Sequence, residues 1–277
     1  MKIKLVMDSS GDRYEFDGID FQSVPMKILA GNREFVDNKD LDLAEMVDYL
    51  KNYTGKSSTA CPGVGEYLES FGDYNIVYVV TITSNLSGSY NSAKVASEQY
   101  MEMYPERKVY VFDSLSTGPE MVILAEKIVE CVNKGMEFEE LVKCVLDYHE
   151  TIRLVYSLES LRNLVNNGRV PAAVAKIADV LSIRLIGIAS DEGTLKPTGK
   201  ARGEKKVPVE LFEYMTSHGY VGGRVRISHC FNETAAKKVE ETIRETYPQA
   251  DIHIARANGL DCFYAELGGL LVAYEHI

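Results

Sequence analysis

Three times in its first half this chain repeats one pattern: a short run rich in Val, Ile and Tyr, a loop dense in Ser, Gly and Asp, then a helical stretch. Lys2–Met7 leads into Asp8-Ser9-Ser10-Gly11-Asp12, Asn75–Thr83 into Ser84-Asn85-Leu86-Ser87-Gly88-Ser89, and Val109–Phe112 into Asp113-Ser114-Leu115-Ser116-Thr117-Gly118-Pro119. Near-continuous apolar runs mark strands covered on both faces, and helices between them predict βαβ units on a parallel sheet. The loops leaving such strands share one edge, and ligands bind there. Helices are expected over Tyr90–Met103 and over Glu120–Lys134, the second opening just after Pro119. Between the first two units, Val24–Ile28 and Glu34–Val36 read as strands around an Ala30-Gly31-Asn32 turn, with a helix near Leu43–Asn52.

From about Tyr156 the texture changes. A Leu-rich helix (Leu158, Leu161, Leu164, Val165) is expected to run into Asn166-Asn167-Gly168-Arg169, followed by a second apolar helix over Ala172–Leu181. Ile183–Ala189 reads as a strand, Asp191-Glu192-Gly193 as a turn and Thr194–Pro197 as a short return. A helix near Val209–His218, strand Gly223–His229, helix Glu233–Tyr247 capped by Asn232, and strand Ile252–Ala257 complete the pattern. The expectation is a two-domain α/β chain: residues 1–158 with a parallel sheet and Ser-rich loops, and a smaller α/β domain over 159–277.

Composition narrows the class. With 277 residues, 45% of them hydrophobic, the chain can bury one large core or two smaller ones without disulfide staples. A formal charge of −11 argues against a nucleic-acid partner, because phosphate neutralisation needs a dominant Lys/Arg face. Cys61, Cys131, Cys144, Cys230 and Cys262 are odd in number and never spaced Cys-x-x-Cys, so free thiols in a reducing cytoplasm are expected. Met1–Asp8 is too short an apolar run for a secretion signal, and no stretch approaches the roughly 20 apolar residues of a membrane span.

The loop Ser84–Ser89 carries the most chemical content. It leaves a buried strand and opens a helix, and it offers the hydroxyls of Ser84, Ser87 and Ser89, the Gly88 backbone, and N–H groups at the positive end of a helix dipole. That suits a carboxylate or a phosphate, and equally suits plain helix capping. A serine hydrolase or acyltransferase using Ser84 or Ser87 is a second reading, although neither serine sits in Gly-x-Ser-x-Gly and the five histidines suggest no triad order. Asp8 and Asp113 stand where carboxylates hold magnesium or, more simply, accept hydrogen bonds from their own loops. Lys200-Ala201-Arg202-Gly203, with Arg169 and Lys205-Lys206, is a basic cluster that reads as a solvated face, a docking contact, or the phosphate contact of a phosphosugar-binding regulatory module.

Taken together the motifs resemble the DegV family of lipid-binding proteins. The likeness is carried by Asp8-Ser9-Ser10, Val24-Pro25-Met26, Thr59-Ala60-Cys61-Pro62-Gly63, Ile82 through Ala93, Asp113-Ser114, Leu161 through Val170, and Lys200 through Gly203. The resemblance implies a two-domain α/β fold holding one long-chain fatty acid, such as palmitate, stearate or oleate, in a tunnel between or within the domains. It implies that Thr59 and Ser87 hydrogen-bond the carboxylate and that a separate fatty acid kinase makes the acyl phosphate. The chain would thus be a carrier rather than an enzyme, needing no cofactor or metal and touching membranes only transiently during lipid exchange. Where the family has Thr-Ser-Gln-Pro this chain has Thr59-Ala60-Cys61-Pro62, and Arg184-Leu185 replaces Lys-Pro. Where the family has His-Thr-Gly-Pro-Gly, this chain has Tyr264 through Gly269, with Tyr264 as the substitute donor and Glu266 expected near the head group.

Overall fold

The computed structural model describes residues 1–171 and 183–277, so the helix expected over Ala172–Leu181 lies outside the described residues. In chain order the first half contains β1 (Ile3–Asp8), β2 (Asp20–Val24), β3 (Lys27–Ala30), β4 (Arg33–Val36), α1 (Leu43–Asn52), β5 (Ser57–Ala60), α2 (Val64–Phe71), β6 (Ile76–Thr81), α3 (Ser89–Met103), β7 (Lys108–Asp113), α4 (Pro119–Asn133) and α5 (Phe138–His149). Then follow β8 (Ile152–Leu158), α6 (Arg162–Asn166), β9 (Ile183–Ala189), β10 (Leu195–Arg202), α7 (Val207–Ser217), β11 (Val225–His229), α8 (Glu233–Thr246), β12 (Ile252–Arg256), α9 (Gly259–Ala265) and β13 (Leu270–Glu275).

The repeated pattern makes the parallel sheet it predicts, ordered β2-β1-β6-β7. Every residue of β6 is buried, which is why its sequence is a continuous apolar run rather than an alternation. A mixed sheet ordered β10-β9-β8-β13-β11-β12 forms the second layer, and a small antiparallel sheet, β4-β3-β5, stands beside the first. α2 and α3 cover one face of the parallel sheet with Tyr67, Phe71, Ala93, Ala96 and Tyr100. α7 and α8 cover the outer face of the mixed sheet with Leu211, Met215, Val239 and Ile243.

Between the sheets lies α4, packed against β6 on one side and β8, β11 and β13 on the other. Met121 through Ala125, with Ile128 and Cys131, are all buried; five successive buried apolar residues circle the helix axis, so its first turns are covered on every side. Its entry is tight: Gly118 has φ of 56°, and a Cβ there would stand 2.6 Å from Asp261 Oδ2. Pro119 then supplies the first helical residue.

Three local differences from the sequence reading have physical causes. Leu158 is the last residue of β8, in register with Leu185, rather than the start of a helix; two flanking strands outweigh its helical spacing. The short return after the turn continues through a register shift between Pro197 and Gly199, so Lys200 and Arg202 belong to an edge strand. β8 itself, although it falls within the 1–158 span expected for the first domain, is hydrogen-bonded to β9 and β13 of the mixed sheet.

Candidate functional site

A cavity of 320 Å³, within the usual range for small-ligand sites, opens where both halves meet. Its apolar wall comes from Met26, Ile82, Leu154, Leu158, Leu164, Leu195, Leu260 and Leu271, contributed by strands, loops and helices of the two halves. Polar groups are few and segregated. At one end stand Thr59, Ser87, Gly88, Arg169 and Tyr264 with Cys61, and Thr117 and Asp261 also line the wall.

Local sequence explains each of these positions. β5 pairs antiparallel with β3, putting Thr59 opposite Ile28. Thr59, Ala60 and Cys61 all line the cavity, where the chain leaves β5. The Thr59 hydroxyl lies 2.8 Å from Tyr264 Oη, which α9 brings from 205 residues away. Burial pushes the Tyr264 phenol up, opposed by the Thr59 hydrogen bond and the nearby charge of Arg169. Ser87 and Gly88 close the turn after β6, with the Ser87 N–H donating to Thr83 O and the Ser92 N–H starting the α3 ladder at Gly88 O.

Arg169 is aimed by a helix stop. At the end of α6, Gly168 takes φ of 69°, its N–H donates to Val165 O at 2.9 Å, and the Arg169 N–H donates to Leu164 O at 2.8 Å. This is the Schellman arrangement, which needs glycine at the left-handed position. The Arg169 guanidinium then donates to Leu86 O at 3.1 Å and to Asn167 O, leaving three of its five N–H groups for a ligand. At Thr117, by contrast, burial and the neighbouring Asp12 push the Asp261 carboxyl well above its ordinary range. Such a group offers no attraction to an anion. The cavity is polarised, with an anion-receptive end at Arg169 and a long apolar wall.

A DegV family model matches residues 2–274. The chain belongs to the DegV family. A DegV domain-containing protein of Streptococcus pneumoniae is 39% identical over 279 residues, covering 99% of each chain. A solved DegV family protein from Eubacterium eligens, loaded with heptadecanoic acid, is 44% identical with a TM-score of 0.97, covering 99% of this chain and 100% of that one. The Streptococcus pneumoniae fatty acid kinase B3 protein, loaded with linoleic acid, is 39% identical with a TM-score of 0.98 and full coverage of both chains.

On this DegV framework the expected site residues separate. Thr59, Ser87, Gly88 and Tyr264 line the cavity together with Arg169. Ser84 and Ser89 do not. Ser84 is exposed, its N–H tied to Asp113 Oδ1 at 3.1 Å, and Ser89 is fully buried, its hydroxyl 2.6 Å from both Asp8 Oδ2 and Tyr67 Oη. Lys200 and Arg202 lie exposed on β10 and are not among the cavity's lining residues, so Arg169 parts from the basic cluster that the sequence suggested.

Glu266, expected near the head group, does not line the cavity either. Its carboxylate accepts from Ser160 Oγ at 2.7 Å, from the Asn163 N–H at 3.3 Å and from Arg162 Nη2 at 3.2 Å, which caps the start of α6. Asp8 accepts from the Ile82 N–H at 3.0 Å and from the Ser10 and Ser89 hydroxyls, while Asp113 accepts from the N–H groups of Ser84 and Leu115. Both are loop organisers, and among the described residues no group of three or more His, Cys, Asp or Glu is assembled for a metal. The leucines of β8 and α6 and the Thr117–Asp261 pair are lining residues the sequence reading missed. Leu158 and Leu164 are legible as apolar positions, but nothing local distinguishes a leucine facing a cavity from one facing a core.

Proposed function

We propose that this protein binds one long-chain fatty acid, acyl chain along the leucine wall and carboxylate among Thr59, Ser87, Tyr264 and Arg169, and presents it to a fatty acid kinase. The observation that carries the reading is the polarised cavity itself, an apolar wall ending in three hydroxyls and one guanidinium. The fatty acids named for the two similar solved proteins support it. A tail of about sixteen carbons at ~0.8 kcal/mol per CH₂ gives a gross gain on the order of 10 kcal/mol, so the wall supplies affinity. Charge-assisted hydrogen bonds at about 1.5–3 kcal/mol each offset desolvation of the head group and set its register.

The protein is a carrier and not a catalyst in this reading. Serine chemistry would need a base, and among the described residues no histidine lines the cavity. A phosphosugar module would need a polar pocket, and this one is walled by leucines. Lys200 and Arg202 are the exposed contacts for the kinase, and lipid exchange involves brief membrane contact; no described helix is long and apolar enough to cross a membrane. Five free cysteines support a reducing cytoplasm. The two proposed domains divide near residue 158, with β8 contributing to the second sheet. Denaturing extraction of purified protein followed by mass spectrometry tests the reading: near-stoichiometric fatty acid is expected, and an empty protein that also ignores added palmitate and oleate refutes it.

A further inference from the structure

On the inner face of the mixed sheet, β8 presents Leu154, Tyr156 and Leu158 to the cavity, alternate residues of one strand. Tyr156 stands between Gly187 of β9 and Leu271 of β13, and its phenol lies across Gly187, where a Cβ would come within 2.3 Å of both Cζ and Oη. The glycine thus makes room for a ring that carries its hydroxyl along the cavity floor. Tyr156 is only 2% exposed, and its hydroxyl makes no hydrogen bond with any described residue; burial pushes the phenol up with no hydrogen bond or charge contributing, so the group stays a neutral O–H. Buried tyrosine hydroxyls ordinarily find a partner. Those of Tyr67, Tyr100 and Tyr264 do so here. The Tyr274 hydroxyl lacks one as well, but it packs into the closed core on the other face of the sheet, whereas Tyr156 fronts open volume.

We infer that Tyr156 recognises an oxygen carried on the acyl chain, so that the cavity takes hydroxy- and keto-fatty acids as well as plain ones. A hydrocarbon tail passing over Tyr156 strips water from the phenol and returns no hydrogen bond. An oxygen on the matching carbon accepts the phenolic proton, and the hydroxyl of a hydroxy acid also donates back. Leu154 and Leu158, on either side of Tyr156 along β8, offer no such partner, so the same oxygen elsewhere along the wall is buried unpaired. The recognition is therefore positional. The inference rests on the proposed placement of a fatty acid in this cavity: a carboxylate held among Thr59, Ser87, Tyr264 and Arg169 sets the register, and Tyr156 then selects one carbon of the tail.

The test uses the full chain freed of lipid and follows displacement of a fluorescent fatty acid by stearate and by monohydroxy- and monoketostearates with the oxygen at successive positions along the chain. Affinity is expected to peak at one position, at least about tenfold above the positions remote from it, and to equal or exceed that of stearate there. The keto acid should share the peak, because it accepts from the phenol without needing to donate. In Tyr156→Phe the affinity at that position relative to stearate should fall by at least about fivefold. A flat profile, a peak that stays below stearate, a peak confined to the hydroxy acid, or a smaller fall in Tyr156→Phe overturns the inference while fatty acid binding stands. Failure of stearate and of every oxygenated acid to displace the probe overturns the binding reading and the inference together.

Discussion

Two serines of one loop, two residues apart, should fail in opposite ways when each is replaced by alanine. Ser87 lines the cavity, and among the described residues its hydroxyl only accepts a 3.3 Å hydrogen bond from the Ser89 N–H. Ser89 is fully buried, and its hydroxyl bridges Asp8 Oδ2 and Tyr67 Oη at 2.6 Å each. Removing a hydrogen bond to a charged group is worth about 1.5–3 kcal/mol. For Ser87→Ala that loss falls on the ligand complex and corresponds to about a 10- to 100-fold weaker fatty acid affinity, with ligand-free stability changed by about 0.5 kcal/mol. For Ser89→Ala it falls on the fold: a buried carboxyl and a buried phenol each lose a partner, and ligand-free stability should drop by about 2–4 kcal/mol.

The assay is urea unfolding of lipid-freed protein, together with displacement of a fluorescent fatty acid under conditions where the chain is folded. Lipid must be absent from the unfolding arm, because bound ligand adds its own stabilisation and would disguise a binding defect as a folding one. Exchanged phenotypes, with Ser89→Ala binding poorly but unfolding normally and Ser87→Ala the reverse, would refute the division of roles within the loop.

Tyr264→Phe removes one partner of the 2.8 Å contact with Thr59 and should weaken fatty acid binding by about 3- to 10-fold in the same displacement assay; unchanged affinity removes Tyr264 from the head-group site. Leu154→Phe, on the cavity wall, should lower affinity for eighteen-carbon acids relative to twelve-carbon acids by about 5- to 100-fold, since overpacking costs about 1–3 kcal/mol; a constant ratio argues that the tail passes elsewhere. Glu120, buried at the start of α4, has its carboxyl raised to about 7 by desolvation, against the Ser116 hydrogen bond and Arg153. The unfolded chain ionises this group near 4.5, so the stability it contributes at acid pH is lost as pH rises from there through 7, about 3 kcal/mol in all. Glu120→Gln should therefore become progressively more favourable relative to the unaltered chain between pH 5 and pH 8 in urea unfolding, and a pH-independent difference contradicts the burial argument.

How much of this was legible in the sequence depended on whether local pattern or tertiary pairing decides each element. Ile76–Thr81 announces itself, because a strand covered on both faces must be apolar throughout. Ser57–Ala60 does not: Ser-Ser-Thr-Ala has no alternation, and it is a strand only because β3 lies beside it. Thr59 and Tyr264 entered through family resemblance, since their contact closes a separation of 205 residues that no spacing rule reaches. Asn167-Gly168-Arg169 was readable as a helix stop but not as a device for aiming Arg169 at a cavity, because the cavity's other walls come from distant strands. Leu158 satisfied a helical period and a strand pairing at once, and the pairing prevailed.

The strand-end aspartates explain why a loop so rich in hydroxyls offers the ligand so few. Asp8 lies at the carboxyl end of β1, fully buried, where desolvation alone would disfavour its charge. It is compensated by drawing in the N–H groups of Ser10 and Ile82 and the hydroxyls of Ser10 and Ser89, and Ser9 is taken in the same way by Asp37 at 2.8 Å. Each carboxylate thereby fixes a loop leaving the sheet and removes that loop's serines from the edge. Ser87 escapes because it precedes the first turn of α3, while Ser89, two residues on, is turned inward to Asp8. A serine-rich sheet edge reads in sequence as catalytic or phosphate-binding. Once the buried acids have taken their donors, what remains at the cavity is a single loop hydroxyl beside Thr59, Tyr264 and Arg169, a donor set suited to holding one carboxylate.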